Sequence, residues 1–409
     1  MRAAVQLLAS CPLNRFLLDH KADTYNSVLV LDVTSTVADA LAALAHKRVL
    51  SAPLVDKANG RFIGFVSVSD ILRAFINSDS EELLVVRHQI GDEGPDAPGA
   101  RLLAPRQPTG GRFAERTLAS IARRGSDGHD GHLLLVSKGE EDAYASNTNL
   151  TLLDVVRGAF LHPCTAWPAC HRAAIIDVRE KYSDNFFARP ATLSRARSSF
   201  SCRQSQEAWD TCRVTNIVSQ SDVLRFVHGA VERGELGAAL NVSLSSVGLV
   251  ASDPPPPVEP AGAAPPVPMV ACVAGSTPAI DAFGSMLRLG VSALGVVDDR
   301  GALAANLSAS DVRCVLPDRW GVLALPVLRF LERSGWGGDA SHHGGCAARG
   351  GGATSTRGAI AVGRHAMLRD AIRALVKHRI HHVFVVDDIN RPVGIVTTTD
   401  ILRLLVAVA

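Results

Sequence analysis

A chain of 409 residues is long enough for two or three domains, and 47% hydrophobic against 20% charged residues gives it a substantial core to bury. A formal net charge of +2 argues against a general electrostatic pull toward nucleic acid or anionic membrane. No apolar run reaches the roughly 18 residues of a membrane-crossing helix.

Residues 1–24 form an N-terminal segment with Arg2, Arg15 and no acid before Asp19. It faintly resembles a targeting sequence, and the favoured reading is an ordinary lead-in to the first strand. The first folding unit, 25–78, reads as strand 28–32, helix 36–48, strand 52–55, turn 56–60, strand 61–66 and helix 69–77. Residues 79–145, rich in Gly, Pro, Arg and Asp over 91–131, are expected to be a flexible linker. A second unit at 146–229 carries an insert at 179–213, read as a solvated loop, with a phosphorylation or docking segment as the alternative. A Pro-rich linker follows at 230–268, then a third unit at 269–318 and a helix with a Gly-rich loop at 319–358. The fourth unit, 359–409, has Leu368, Ala371, Ile372, Leu375 and Val376 on one helical stripe. After it come an apolar, β-branched strand from His382 to Val386, a turn at 387–390, a strand from Val393 to Val396 and a helix opened by Asp400.

The four units are copies of one another. Gly64-Phe-Val-Ser-Val-Ser-Asp70-Ile-Leu-Arg73, Asn216-Ile-Val-Ser-Gln-Ser-Asp222-Val-Leu-Arg225 and Gly394-Ile-Val-Thr-Thr-Thr-Asp400-Ile-Leu-Arg403 share one pattern, and Ala305-Asn-Leu-Ser-Ala-Ser-Asp311 is a weaker version. Two further aspartates recur upstream: Asp39, Asp154, Asp281 and Asp370, then Asp56, Asp177, Asp298 and Asp387. The first interval is 17, 23, 17 and 17 residues and the second is 14, 45, 13 and 13, so three copies agree within one residue. The second copy agrees once two insertions are allowed.

A βαββα unit ending in [ST]-x-x-D followed by two apolar residues and Arg resembles the cystathionine-β-synthase (CBS) domain. Four in tandem without a catalytic domain resemble the gamma regulatory subunits of AMP-activated and sucrose-non-fermenting-related protein kinases. Phe16 to His20 before the first strand, Val291 to Leu294, and the pair His171-Arg172 fall where that family has them. The low-complexity inserts and the Ala/Gly bias suggest a divergent plant or algal type. The resemblance implies an α+β fold of four tandem CBS units paired into two Bateman modules, with clefts for AMP, ADP, ATP or another adenosyl compound and no other cofactor. It also implies kinase catalytic and scaffold subunits as partners, and a cytoplasmic or nuclear location unless the N-terminus directs the chain to an organelle. Eight cysteines without repeated spacing agree with reduced, intracellular thiols.

The chemistry suits such a ligand. A ribose presents two hydroxyl donors, and a carboxylate accepts from both. Asp70, Asp222, Asp311 and Asp400 stand at the start of the last helix, where the dipole favours negative charge and amides offer donors to phosphate. Ser67, Ser219, Ser308 and Thr397 add hydroxyls. The same residue types also cap helices, so capping alone explains them equally well. Phosphates need cations, and the resemblance assigns these to His171 and Arg172 in the second unit and His381 and His382 in the fourth. Leu50-Ser51 and Ser292-Ala293 occupy the same places in the first and third. His382 stands where the family has Arg, and a largely neutral imidazole makes no bidentate phosphate contact.

No P-loop, G-x-S-x-G or HExxH occurs, so no enzymatic activity is expected. His342, His343 and Cys346 lack a fourth metal ligand, and Cys164, Cys170 and His171 lack zinc spacing. The readings that compete are an adenine-nucleotide-sensing gamma-type kinase subunit, a free-standing CBS sensor acting on a transporter, metabolic enzyme or redox protein, and an adaptor with empty clefts.

Overall fold

The computed structural model describes residues 2–22, 27–47, 49–58, 61–78, 80–92, 111–122, 134–138, 150–161, 171–178, 213–236, 238–250, 270–315, 320–334 and 359–407. The insert expected at 179–213, the proline run and the Gly-rich loop lie almost wholly outside these residues, as do His342, His343, Cys346, Cys164 and Cys170.

Helices α1 (Arg2–Ala9) and α2 (Leu13–Lys21) precede the first repeat. That repeat contributes β1 (Leu31–Asp32), α3 (Val37–Lys47), β2 (Ser51–Asp56), β3 (Arg61–Ser67) and α4 (Val68–Ile76). Helices α5 (Glu81–Asp92), α6 (Gly111–Ala114) and α7 (Leu118–Ala122) follow. The second repeat comprises β4 (Leu134–Lys138), α8 (Leu152–Val155, continued by a wider turn through Phe160), β5 (Arg172–Val178), β6 (Arg213–Ser219) and α9 (Gln220–Glu232). The third has β7 (Cys272–Ala274), α10 (Ala279–Leu289), β8 (Ala293–Val297), β9 (Leu303–Ser308) and a short 3-10 helix at Ala309–Cys314 in place of a full last helix. A second 3-10 turn at Trp320–Ala324 leads to α11 (Val327–Ser334). The fourth is β10 (Ala361–Gly363), α12 (Leu368–His378), β11 (His382–Val386), β12 (Pro392–Thr397) and α13 (Thr398–Val406).

Each repeat forms its own three-stranded sheet, the first two strands parallel and the last two antiparallel. The equivalence is exact enough to include an irregularity. All four antiparallel ladders break register at matching positions, Leu54/Val55, Ile175/Ile176, Val296/Val297 and Val385/Val386. Several of the upstream aspartates prove to be turn and cap residues. Asp39 and Asp154 accept from Thr36 Oγ1 and Thr151 Oγ1 at 2.7 and 2.8 Å, closing the starts of α3 and α8. Asp298 and Asp387 organise the turns after β8 and β11, each accepting two backbone amides with its Oδ1. In those turns Gly301 and Asn390 hold matching positive φ of 77° and 63°.

The chain divides into two compact units. One contains residues 1–67, 116–239 and 402–409, and with them the first two sheets; the other contains 68–115 and 240–401 with the last two. In the second, β8 and β11 meet in a shared core of Val270, Ala293, Leu303 and Phe384, and Asn390 exchanges hydrogen bonds with the Leu303 backbone at 2.8 and 3.0 Å. This is the pairing expected of the third and fourth repeats. In the first unit, Arg172 donates to Ser51 Oγ, joining equivalent positions of the first and second repeats. Helix α4 is grouped with the second unit, where Phe75 stacks on Trp320 at 4.0 Å between ring centres and meets Phe113 edge-on at 5.2 Å.

Every first helix is also pinned at its N-terminus by a bridge from outside its own repeat: Thr36 with Thr117, Thr151 with Pro12, Pro278 with Pro326 and Met367 with Ser243. Two of the segments making these bridges, within 79–145 and 230–268, depart from the expectation of flexible linkers. Within 79–145, α5, α6, α7 and β4 are ordered elements, and β4 supplies the second repeat's first strand ahead of the expected start at 146. Between 230 and 250, Leu236, Leu240, Leu244 and Val250 are buried. Polar composition averaged over these stretches conceals small apolar sets such as Phe113, Leu118 and Ile121, at most 9% exposed, which are enough to dock a short helix.

Candidate functional site

The last helix of each repeat starts where its antiparallel ladder ends. Ser51 pairs with Ser67, Arg172 with Ser219, Ala293 with Ser308 and His382 with Thr397. The second expected basic position is therefore directly across the ladder from the capping hydroxyl residue in every repeat. One residue earlier, the carbonyls of His171, Ser292 and His381 accept from the first helical amides, Gln220, Ala309 and Thr398, at 3.1, 3.0 and 3.0 Å.

The aspartates close the same helices. Thr397 donates to Asp400 Oδ2 from its amide at 3.0 Å and from Oγ1 at 2.6 Å, and the Asp400 amide returns to Thr397 Oγ1 at 3.2 Å. Ser219 and Asp222 repeat this at 2.8, 2.7 and 3.2 Å. In the third repeat the Ser308 amide donates to Asp311 Oδ2 at 2.8 Å, and Ser308 Oγ sits 2.6 Å from Ser310 Oγ. Ser67 ends β3 and Asp70 lies in the first turn of α4. Strand carbonyl and cap together occupy two amide donors at the starts of α9 and α13 that the sequence offered to a phosphate.

The copies differ in what else their acids touch. Asp222, 6% exposed, has Lys21 Nζ 2.9 Å from Oδ2 and Arg225 on Oδ1. Burial pushes this carboxyl up, but Lys21, Arg225 and Ser219 outweigh it and hold the acid below its ordinary range. Asp400 is half-buried and spends Oδ2 on the cap, while its Oδ1 meets no hydrogen-bond donor or cation among the described residues. That oxygen remains open to a ligand's hydroxyl.

The basic positions also diverge. His171 is exposed and Arg172 is turned to Ser51. His381 is half-buried. His382 is 5% exposed, its Nδ1 is buried with no hydrogen-bond partner among the described residues, and its ring meets Phe384 edge-on at 6.0 Å. Burial pushes its pKa down to about 4, so it is neutral at pH 7 and brings no positive charge to a phosphate. Sequence reasoning missed Lys21 altogether: nothing in the local pattern of α2 links it to an acid in the second repeat. Phe16 and His20 of the lead-in form one cluster with Phe226, with ring centres 5.1–5.8 Å apart.

Among the described residues no His, Cys, Asp or Glu cluster could hold a metal, and no helix is long and apolar enough to cross a membrane.

Comparison with known proteins gives the same architecture. No curated protein matches the sequence. Protein MJ1225 from Methanocaldococcus jannaschii, described as a candidate archaeal homologue of g-AMPK, is similar in fold. Its TM-score is 0.51 at 14% identity, covering 94% of this chain and 98% of that one. Two shorter structures align over 34% of this chain and 90% of their own, each with a TM-score of 0.25. They are the CBS domain pair of protein MJ0100 in complex with 5'-methylthioadenosine and S-adenosyl-L-methionine, at 20% identity, and CBSX2 in complex with AMP, at 19%. The CBS domain family itself matches residues 25–77 and 355–407, the first and fourth repeats. The chain therefore carries CBS domains at these two positions, and the same order of strands and helices recurs in the second and third sheets.

Proposed function

We propose that the chain is a non-catalytic regulator that senses an adenosyl ligand, with Asp400 and Thr397 of the fourth repeat as its principal ribose-binding pair. The observation that carries this reading is the divided use of Asp400: one carboxylate oxygen closes the helix, and the other is left for a hydroxyl. Ser67 with Asp70 and Ser308 with Asp311 are the corresponding candidates in the first and third repeats, with His381 and His171 beside the helix starts. In its finer form the proposal is a gamma-type subunit that biases a Ser/Thr kinase through the differential affinity of two arrangements for the ligand.

Calorimetry on the full chain with AMP, ADP, ATP and S-adenosylmethionine tests the sensor. Binding of at least one is expected, with Asp400→Ala weakening it by more than about tenfold, equivalent to roughly 1.4 kcal/mol. The lost cap itself costs about 1 kcal/mol of stability. Absence of binding by all four refutes the sensor, and a loss explained by stability alone returns Asp400 to a purely capping role. Purification of the native complex tests the finer form, which fails if no kinase subunit accompanies the chain.

A second reading is favoured by His382. A neutral imidazole across from the cap supplies no charge to a phosphate, which supports a free-standing sensor for an adenosyl compound with few or no phosphates. Tighter binding of ATP than of S-adenosylmethionine would remove it.

A further inference from the structure

We infer that Lys21 closes the second repeat's ribose-binding position: helix α2 delivers an internal ammonium to Asp222, so this repeat takes no nucleotide while α2 is docked. The inference rests on the adenosyl-ligand reading and makes the repeats unequal, with the N-terminal helix deciding which of them is open.

A ribose diol needs carboxylate oxygens free to accept. On Asp222, Oδ2 already takes the Ser219 amide, the Ser219 hydroxyl and Lys21 Nζ, and Oδ1 takes Arg225. Among the described residues Asp400 carries only the cap. Nor is Lys21 a swinging surface side chain. Its side chain is 19% exposed, and its backbone carbonyl accepts from Asn216 Nδ2 at 3.4 Å. The helix that carries it is anchored by Phe16, 1% exposed, edge-on to Phe226 at 5.8 Å, and by His20 against the same ring at 5.6 Å. Asn216 belongs to β6, which ends three residues before Asp222, and Phe226 to α9, which carries it. A ligand entering here competes with an intramolecular cation whose effective concentration is on the order of millimolar or above, and it must also break the aromatic packing that holds that cation in place.

The test is the AMP stoichiometry of the full chain by calorimetry for wild type, Lys21→Met and the double variant Lys21→Met with Asp222→Asn. Lys21→Met is expected to bind one more AMP per chain than wild type, and the double variant to return to the wild-type number. Equal stoichiometry in wild type and Lys21→Met overturns the inference. If wild type binds no AMP and Lys21→Met binds one, the closure stands and the sensor reading of the other repeats falls; if neither binds, both fall. Should Lys21→Met melt below the assay temperature, hydrogen exchange over 13–21 in wild type decides. Protection unchanged at saturating AMP supports the closed position, and loss of protection on adding AMP overturns it.

Discussion

His382 gives the chain an acid sensitivity whose size and pH range follow from its burial. In the unfolded chain an imidazole titrates near 6.5, whereas in the folded protein the site resists protonation until about pH 4. The folded pKa is depressed, so between these values the unfolded state binds a proton that the folded state refuses. Stability is therefore full above pH 6.5 and falls as the pH drops toward 4. Each pH unit in that window costs about 1.4 kcal/mol, so the loss is roughly 2 kcal/mol by pH 5 and about 3 kcal/mol by pH 4. His382→Phe keeps a flat ring beside Phe384 and removes the titration. Among the described residues the His382 ring makes no hydrogen bond that the replacement would forfeit, and the variant should lie within about 1 kcal/mol of wild type at pH 7. The assay is urea unfolding of both proteins at pH 7, 6, 5 and 4.5, read as the difference between them at each pH. That difference should grow in favour of the variant by about 2 kcal/mol between pH 7 and 5. The buried acid Asp222 titrates below its ordinary value and acts only at lower pH, so it does not blur the window. Parallel profiles for the two proteins would refute a neutral, buried His382.

Asp222→Ala strands Lys21 and Arg225 without their anion and should lower stability by about 3 kcal/mol, seen as a reduced urea midpoint at pH 7. Phe384→Ala opens a cavity between β8 and β11, and about 4 kcal/mol should be lost without a change in far-UV circular dichroism at low temperature. Arg379 ends α12 at φ 52°, where the matching residue of the third repeat is Gly290 at φ 65°. Arg379→Gly should raise the melting temperature, with a gain of up to about 1 kcal/mol, and a lower melting temperature would show that the Arg379 side chain contributes more than its backbone costs.

The repeat was readable because its aspartates sit at turns and helix starts, where the backbone demands a particular residue type at a fixed distance. That is also why the aspartate pattern could not by itself distinguish a ligand site from a cap: Asp222 and Asp400 make the same cap and differ in the cations beyond it, Lys21 from distant sequence and Arg225 three residues on. The burial of His382 was half legible, since it heads an apolar, β-branched run, and its alignment with a basic position in related proteins pointed the other way. Strand β4 and helices α5 to α7 were hidden by their neighbours' composition. The buried apolar residues of α5 to α7 are too few for a periodic signal. Lys21 leaves no trace in local sequence, because its partner is reached only through the docking of α2 on α9.

The four bridges at the first helices bear on how the chain can be divided. Each repeat borrows two or three backbone hydrogen bonds from a stretch lying well outside the limits of its own domain, as when Leu13 and Leu152 bond to Leu150 and Cys11. A protein shortened to begin at residue 25 would keep the whole first repeat and yet damage the second, by stripping the edge from Thr151. Excision at the family's boundaries thus severs supports that the neighbouring repeat cannot replace, and the smallest piece that should survive alone is larger than any one copy.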